Sequence, residues 1–190
     1  MLLSLLLVHG FDYRDTAPIR AVVGLAAIGI TTHRESCLVW DRATGVPVHN
    51  AVMWMSKQTD SIVERWREEG LDEDVRARTG LFNDSFFSAP KLAWILENVP
   101  GVRARAERGE LAFGTVDTWL LWKLTGGSVH ATEPSNACRT LLYDLGTGAW
   151  SPELCDIFGV PIDAVVRAAG VGGERADGDE DVDAGLPGLR

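Results

Sequence analysis

The stretch that decides the fold is Phe86-Phe87-Ser88-Ala89-Pro90-Lys91-Leu92-Ala93-Trp94-Ile95-Leu96-Glu97-Asn98. Within it, Leu92, Ile95 and Leu96 recur at helical spacing, so they would lie on one apolar face. Pro100 follows shortly afterwards and stops a helix, because proline lacks an amide hydrogen and clashes with the preceding turn. The pattern therefore predicts an amphipathic helix over Ser88–Asn98 that buries one face in a core.

Strand-like and helix-like segments alternate on both sides of this helix. Apolar runs predict strands at residues 22–31, 37–41, 46–52, 111–113, 129–132 and 140–143. Helical spacing, with glycine or proline near the ends, predicts further helices at residues 59–69, 72–78, 115–124 and 152–158. Such alternation is typical of an α/β domain, which is the fold class we expect.

The overall charge argues against polyanionic partners. The 190 residues carry a net charge of −9, so they would be repelled by nucleic acid and by anionic membranes. We therefore expect no nucleic acid and no membrane as a partner. Residues 171–190 are acidic and rich in glycine, and we expect a disordered tail there. The apolar residues 1–8 lack a basic start and a cleavage site, so we interpret them as the remnant of a buried helix rather than a signal peptide.

The cysteine and histidine residues show no metal-ligand pattern. The three cysteines lie far apart and form no C-x-x-C pair, which is typical of reduced cytosolic thiols. The four histidines are equally scattered, so no zinc spacing occurs. We therefore expect a cytoplasmic protein with no metal-binding residues in this chain.

Arg34 and Glu35 are the first candidates for binding chemistry. They follow the apolar run at residues 22–31, at the point where the sequence becomes polar. Each hydroxyl of a polyol both donates and accepts, and an arginine beside a carboxylate supplies the matching donors and acceptors. Neighbours on a regular strand point to opposite faces, so both can reach one ligand only where the strand has ended. A solvated charge pair at a strand end is the alternative that the spacing leaves open.

Three stretches resemble the FGGY family of carbohydrate kinases, and within it the glycerol kinases. They are residues 86–98, residues 113–125 (FGTVDTWLLWKLT) and residues 132–140 (TEPSNACRT), and the resemblance extends from about Gly24 to about Val166. It implies part of an actin-like, ribonuclease H-like ATPase domain, namely the N-terminal domain of these kinases. We expect residues 1–170 to form such a partial domain, truncated at both ends.

The resemblance also implies an acceptor-substrate site. Arg34 and Glu35, in I-T-T-H-R-E-S, match an Arg–Glu pair that binds the hydroxyls of glycerol in glycerol kinases. Trp54 matches a tryptophan that packs on the carbon edge of the substrate. Phe86 stands where glycerol kinases have a tyrosine that hydrogen-bonds the substrate, and it lacks the hydroxyl. Another small sugar or polyol therefore remains an alternative acceptor.

Four further residues of the resembling stretches are interpreted less specifically. We expect Trp94 to lie in the core and Lys91 to be a cation on the helix surface, its stem covering apolar neighbours. Asn136 and Arg139 could order a loop near the cleft, and purely structural roles fit them equally well.

The activity that the resemblance implies is ATP-dependent phosphorylation of glycerol to glycerol 3-phosphate, with Mg²⁺. Phosphoryl transfer needs donors around the phosphates, a metal and a base. The D-x-G-T-T-S phosphate hairpin and the G-D-Q base of the family do not occur in the sequence, and Gly170-Val171-Gly172-Gly173 follows no strand. We therefore expect no catalytic and no cofactor-binding residues, and an inactive isolated chain.

Two questions about partners and activity stay open at this point. A non-catalytic polyol-binding module, or a remnant fragment, is the alternative to a kinase. Glycerol is the expected small-molecule partner. A homo-oligomer and a complementing kinase fragment are the protein partners that the resemblance leaves open.

Overall fold

Strands and helices alternate along the chain, as expected for an α/β domain. The computed structural model describes residues 31–164 and 167–168. The strands are β1 (Cys37–Asp41), β2 (Leu111–Thr115), β3 (Ala131–Thr132), β4 (Tyr143–Asp144), β5 (Ala149–Trp150) and β6 (Arg167–Ala168). The helices are α1 (Asp60–Glu68), α2 (Asp72–Thr79), α3 (Ser88–Asn98), α4 (Val102–Glu107), α5 (Val116–Leu124), α6 (Pro134–Ala137) and α7 (Pro152–Ile157), followed by a 3₁₀ turn at Ile162–Ala164.

Most predicted elements are confirmed with small shifts of their ends. The helix predicted at Ser88–Asn98 has those bounds in the structure. Glycine ends the second helix as predicted, because Gly80 adopts the left-handed conformation with φ of 69°. The strand predicted at residues 22–31, the helix remnant at residues 1–8 and the disordered tail at residues 171–190 lie outside the described residues, apart from Thr31.

Two predictions about local structure are wrong, and one helix was missed. Residues 46–52 form isolated bridges to β1 rather than a full strand, and Pro47 in this segment has no amide hydrogen to donate. Of the strand predicted at residues 140–143 only Tyr143 remains, because Leu141 adopts a positive φ of 65°, which interrupts an extended chain. Helix α4 was not predicted, since its six residues are too few to show a periodic pattern.

The antiparallel pair β1–β2 forms the centre of the fold. Cys37 lies opposite Thr115 and Asp41 opposite Leu111. On its other side β1 bonds to the segment 46–52, where the amide and carbonyl of Val52 pair with those of Cys37 at 3.0 and 3.2 Å. Because side chains alternate along a strand, β1 and β2 contribute to two separate cores.

The larger core covers one face of β1–β2. Alternate residues of the two strands enter it, and α1, α3, α4 and α7 supply the facing side chains. The strand residues are Cys37, Val39, Leu111 and Phe113, and the helix residues include Ile62, Trp66, Leu92, Ile95, Leu96, Val102 and Leu154.

The smaller core, which we call the tryptophan cluster, covers the opposite face of β1–β2. It consists of Leu38, Trp40, Ala112 and Trp122, with Trp119 packed against them. The ring of Trp40 makes edge contacts with Trp119 at 5.0 Å and with Trp122 at 5.7 Å between centroids. Helix α5 therefore packs on the face of the sheet that α3 does not cover.

Helix α3 is bonded at its first turn to two distant parts of the chain. The hydroxyl of Ser88 donates to the main-chain oxygen of Glu35 at 3.1 Å, and the amide of Ala89 donates to the carbonyl of Thr140 at 2.9 Å. The first turn of α3 thereby connects the segment before β1 with the segment after α6. No helix in the described part of the chain is long and apolar enough to cross a membrane.

Candidate functional site

Glu35 presents a buried carboxylate just before β1. The residue is 6% exposed, and its Oε1 accepts a hydrogen bond from Nε of Arg139 at 2.8 Å. Buried carboxylates need such partners, because an unpaired charge in a low-dielectric interior is strongly unfavourable. Among the described residues, none donates a hydrogen bond to the other oxygen, Oε2.

An aromatic pair lies beside this ion pair. The rings of Trp54 and Phe86 meet edge to face with centroids 5.4 Å apart, and Trp54 is 36% exposed. The amide of Trp54 donates to the hydroxyl of Ser36 at 3.0 Å. Because Ser36 follows Glu35 in the chain, this bond holds the backbone of Trp54 close to Glu35. The guanidinium of Arg139 lies 5.9 Å from the Phe86 ring. The carboxylate and the aromatic pair are thus joined through Arg139.

Arg34 lies at the edge of this group and is exposed. Burial raises the pKa of the Cys138 thiol, and the positive charges of Arg139 and Arg34 oppose that rise. The charge of Arg34 therefore acts on the same short segment that carries Arg139. Arg34 and Glu35 both precede β1, which begins at Cys37, so the alternation of a regular strand does not separate them.

The structure distinguishes the four residues predicted for the site. It brings Glu35, Trp54 and Phe86 together, with Glu35 buried and the rings partly exposed. The alternative of a solvated charge pair is therefore wrong for Glu35, which is buried, whereas Arg34 is exposed as that alternative expects. Their role in binding a substrate stays a prediction.

The prediction that Lys91 is a surface cation is wrong. Lys91 is fully buried, and its ammonium donates to the carbonyls of Ser85, Phe86 and Phe87. Helical side chains tilt toward the N-terminus of the helix. A lysine at the fourth helical position, such as Lys91, can therefore reach back over the residues before the helix. That tilt, together with the apolar neighbours of Lys91 in the sequence, is the signal that could have revealed its burial.

The remaining predictions for this region have mixed outcomes. Trp94 packs against the larger core but is only partly buried, and its ring meets that of His49 at 5.4 Å. Arg139 bonds to Glu35 and thereby ties the segment after α6 to the segment before β1. Asn136 has a local role: its amide group donates to Glu133, the residue that caps α6.

The polar side chains of the described residues do not converge into a metal site. Among residues 31–164 and 167–168, no group of three or more His, Cys, Asp and Glu side chains could hold a metal ion. An open cleft of about 320 Å³ lies beside the tryptophan cluster and contains none of the four predicted site residues. Its lining includes Arg42, Thr44, Gly45, Trp122, Lys123 and Gly127.

Comparison with known proteins identifies the class. The model of the N-terminal domain of the FGGY family of carbohydrate kinases matches residues 22–172. The chain therefore belongs to the FGGY family of carbohydrate kinases, and the expected family and actin-like fold class are confirmed.

Several of the similar proteins are glycerol kinases. The glycerol kinase of Thermus brockianus is 57% identical over 145 residues, which cover 75% of this chain and 29% of that protein. The glycerol kinase of Oleidesulfovibrio alaskensis is 53% identical over 146 residues, 77% of this chain and 29% of that protein. The crystal structure of Plasmodium falciparum glycerol kinase with ADP superposes with a TM-score of 0.71 at 33% identity, over 75% of this chain and 28% of that one. The chain thus spans less than a third of these relatives.

Proposed function

We propose that this chain supplies the acceptor-binding part of a glycerol kinase-type phosphotransferase, which transfers the γ-phosphate of ATP to a terminal hydroxyl of glycerol. The observation that carries the proposal is the buried Glu35 carboxylate, bonded to Arg139 and adjacent to the Trp54–Phe86 pair. The names of the relatives, which are 50–57% identical over this region, support glycerol as the acceptor.

Each site residue has a role that follows from its chemistry. Glu35 Oε2 accepts a hydroxyl hydrogen of the polyol, while Oε1 remains bonded to Arg139. Arg34 donates to hydroxyl oxygens from the exposed side, since a guanidinium only donates. Trp54 and Phe86 pack on the carbon edge of the substrate, where a polyol is apolar. Charge-assisted bonds of this kind also orient the hydroxyl that reacts.

ATP and Mg²⁺ belong to the proposed activity of the whole enzyme. When bound, they supply the transferred phosphoryl group and the charge that stabilises it. The described residues do not fit either group, because they contain no metal-binding cluster and the sequence contains no phosphate hairpin. We therefore assign no step of phosphoryl transfer to these residues and limit their role to binding and orienting the acceptor.

The setting that we propose is the reducing cytoplasm. All three cysteines lie in the described part of the chain and are free thiols, and Cys37 and Cys155 are buried. Burial raises the pKa of both thiols to about 12, which keeps them protonated and unreactive.

Glycerol binding tests the proposal directly. We expect Arg34→Ala to weaken glycerol binding by about tenfold or more, because a charge-assisted hydrogen bond contributes roughly 1.5–3 kcal/mol. Titration calorimetry on the 190-residue chain measures the affinity. Arg108→Ala is the matched control, since Arg108 is exposed and pairs with Glu110. Equal affinities of Arg34→Ala and the parent would show that the site is assigned wrongly.

Phosphotransfer is tested in a chimera. Residues 31–164 replace the matching segment of the Thermus brockianus enzyme, and ATP-dependent formation of glycerol 3-phosphate is assayed. We expect an active chimera that loses activity with Arg34→Ala. Glycerol binding by the chain together with an inactive chimera would favour a non-catalytic polyol-binding module.

A second acceptor is favoured by Phe86. Its ring fills the position beside Trp54 but offers no hydroxyl to a substrate. Compared with a site that has a tyrosine at this position, glycerol would lose one hydrogen bond. A sugar or polyol that presents a carbon edge to the ring would lose no hydrogen bond there. Titrating a panel of three- to five-carbon polyols against the chain decides between them: tighter binding of a longer polyol than of glycerol would favour this second acceptor.

A further inference from the structure

Lys91 is a buried cation that is bonded to the main chain. Its ammonium donates to the carbonyl oxygens of Ser85 at 2.5 Å, Phe86 at 2.7 Å and Phe87 at 2.6 Å. An ammonium group has three donors, so all of them are used. Lys91 therefore has no donor left for a ligand, and any functional role must act through the segment that it holds.

The position of Lys91 is unfavourable for a positive charge on two counts. The residue is fully buried, so its charge has lost its hydration. Its side chain also reaches back over the N-terminus of α3, where the helix dipole repels a cation. A methionine would fill similar space without either penalty. The charge is therefore best explained by what it does to the three carbonyls.

The three carbonyls belong to the segment that carries one half of the aromatic pair. Phe86 lies in this segment, and its ring contacts Trp54. Ser88, which follows the segment 85–87, donates its hydroxyl to the main-chain oxygen of Glu35 at 3.1 Å. The turn that Lys91 organises thus touches both the aromatic pair and the segment of the buried carboxylate.

We propose that Lys91 is a positioning residue of the acceptor site: its ammonium fixes residues 85–87 and thereby sets the place of the Phe86 ring relative to Trp54 and Glu35. This inference rests on the proposed acceptor site. It predicts that removal of the charge loosens one wall of the site while the rest of the domain stays folded.

Other charges face Lys91 and affect its protonation. Burial lowers its pKa to about 8, whereas Cys37, Glu35 and Asp84 favour the charged form and Lys57 opposes it. The parent protein therefore offers a way to remove the charge without mutation. Above pH 8 the neutral amine has one donor fewer, so it can hold at most two of the three carbonyls.

The experiment compares Lys91→Met with a matched control, Lys123→Met. Lys123 is exposed on α5, which packs on the other face of β1–β2, and its ammonium also donates to a main-chain carbonyl, that of Gly45, at 3.0 Å. Two measurements on the 190-residue chain report on the wall. Nitrogen–proton NMR follows the indole signal of Trp54, assigned with Trp54→Phe. Hydrogen exchange follows the amides of Phe86 and Phe87, which are bonded to Asp84.

We expect three results for Lys91→Met. The Trp54 indole signal shifts, and the Phe86 and Phe87 amides exchange about tenfold faster relative to those of β2. Glycerol affinity falls by about tenfold, whereas Lys91→Arg, which keeps the charge, restores part of it. Lys123→Met changes none of these. A purely structural role would raise exchange equally in β2 and in residues 86–87.

The outcomes separate this inference from the proposed function. An unchanged Trp54 signal and unchanged exchange in folded Lys91→Met would overturn the inference, whatever the affinity for glycerol. Shifts in both without glycerol binding by any variant would support the positioning and refute the acceptor site. Where Lys91→Met does not fold, the parent and Lys91→Arg are titrated from pH 6 to pH 11. A Trp54 transition in the parent that Lys91→Arg lacks supports the inference, because burial lowers the pKa of Lys91 below its usual value, and the absence of any such transition overturns it.

Discussion

The two faces of the β1–β2 pair treat polar groups in opposite ways. On the face of the tryptophan cluster, the titratable group that meets the cluster is the half-buried His130, whose ring lies 5.4 Å from that of Trp40. Burial lowers the pKa of His130 to about 4, so the ring is neutral near pH 7. On the other face, α3 encloses Lys91 as a buried cation, and Glu35 is buried in an ion pair.

This difference separates a packing surface from a candidate binding surface. Burial of charge opposes folding, and a region selected for packing alone would discard it. The tryptophan cluster follows that expectation, because its histidine loses the charge and bonds in neutral form. The α3 face retains the charges of Lys91 and Glu35 close to the two partly exposed rings. The free-energy cost of burying charge is therefore concentrated at the proposed polyol-binding site.

The largest effect that we predict is a loss of stability when the packing of the tryptophan cluster is disrupted. A Cβ at Gly114 would lie 2.6 Å from Cβ and Cγ2 of Thr118 and 2.9 Å from Cη2 of Trp40. We expect Gly114→Ala to lower the free energy of unfolding by about 2–3 kcal/mol, because buried neighbours cannot move away freely. Urea denaturation measures it, with Gly146→Ala as the control of smaller effect. A loss below about 0.5 kcal/mol would mean that the two faces are less tightly packed than described.

A smaller effect tests the neutral histidine. Between pH 6.5 and pH 4 the folded state binds fewer protons at His130 than the unfolded state, so unfolding becomes easier as the pH falls. We expect this residue to account for about 1–2 kcal/mol of lost stability by pH 4, given its partial exposure. His130→Gln should remove that part of the acid dependence in urea denaturation at several pH values. The exposed His33→Gln serves as control, and parallel curves for parent and His130→Gln would contradict the assignment.

The smallest effect that we predict is a change in glycerol affinity at the proposed site beside α3. Phe86→Tyr adds a hydroxyl beside Trp54, and we expect it to tighten glycerol binding about fivefold, since one neutral hydrogen bond contributes roughly 1 kcal/mol. Phe82→Tyr is the matched control, because Phe82 is 58% exposed. Calorimetric titration of both variants gives the comparison. Unchanged affinity in Phe86→Tyr would remove the reason to suspect an acceptor other than glycerol.

The sequence predicted the parts of the fold that local patterns encode. Helix α3 could be placed to the residue, because its apolar spacing and following proline act within a dozen residues. Residues 46–52 could not, because β-propensity does not show how many backbone bonds a partner will offer. The Glu35–Arg139 bond joins residues 104 positions apart, which no spacing rule reaches. Lys91 was misplaced because lysine is rarely buried, and only the helix direction shows where its ammonium lies.

The outer edge of β2 carries a consequence for self-association. Backbone groups of Val39 face the segment 46–52, so the opposing Phe113 directs its own to the side of β2 away from β1. There the carbonyls of Leu111 and Phe113 accept from Nε of Arg42 and Nε2 of His130, both at 2.9 Å. Within the part of the chain that the structure describes, these two side chains occupy bonding positions at this edge, so an incoming strand would have to displace both before it could pair with β2. Protonation of His130 in acid would place a positive charge next to the guanidinium of Arg42, whose Nη1 lies 3.3 Å from Nδ1 of the ring. The repulsion would weaken the bonds of both side chains to β2, so the pH change that lowers stability would also expose this edge to other strands.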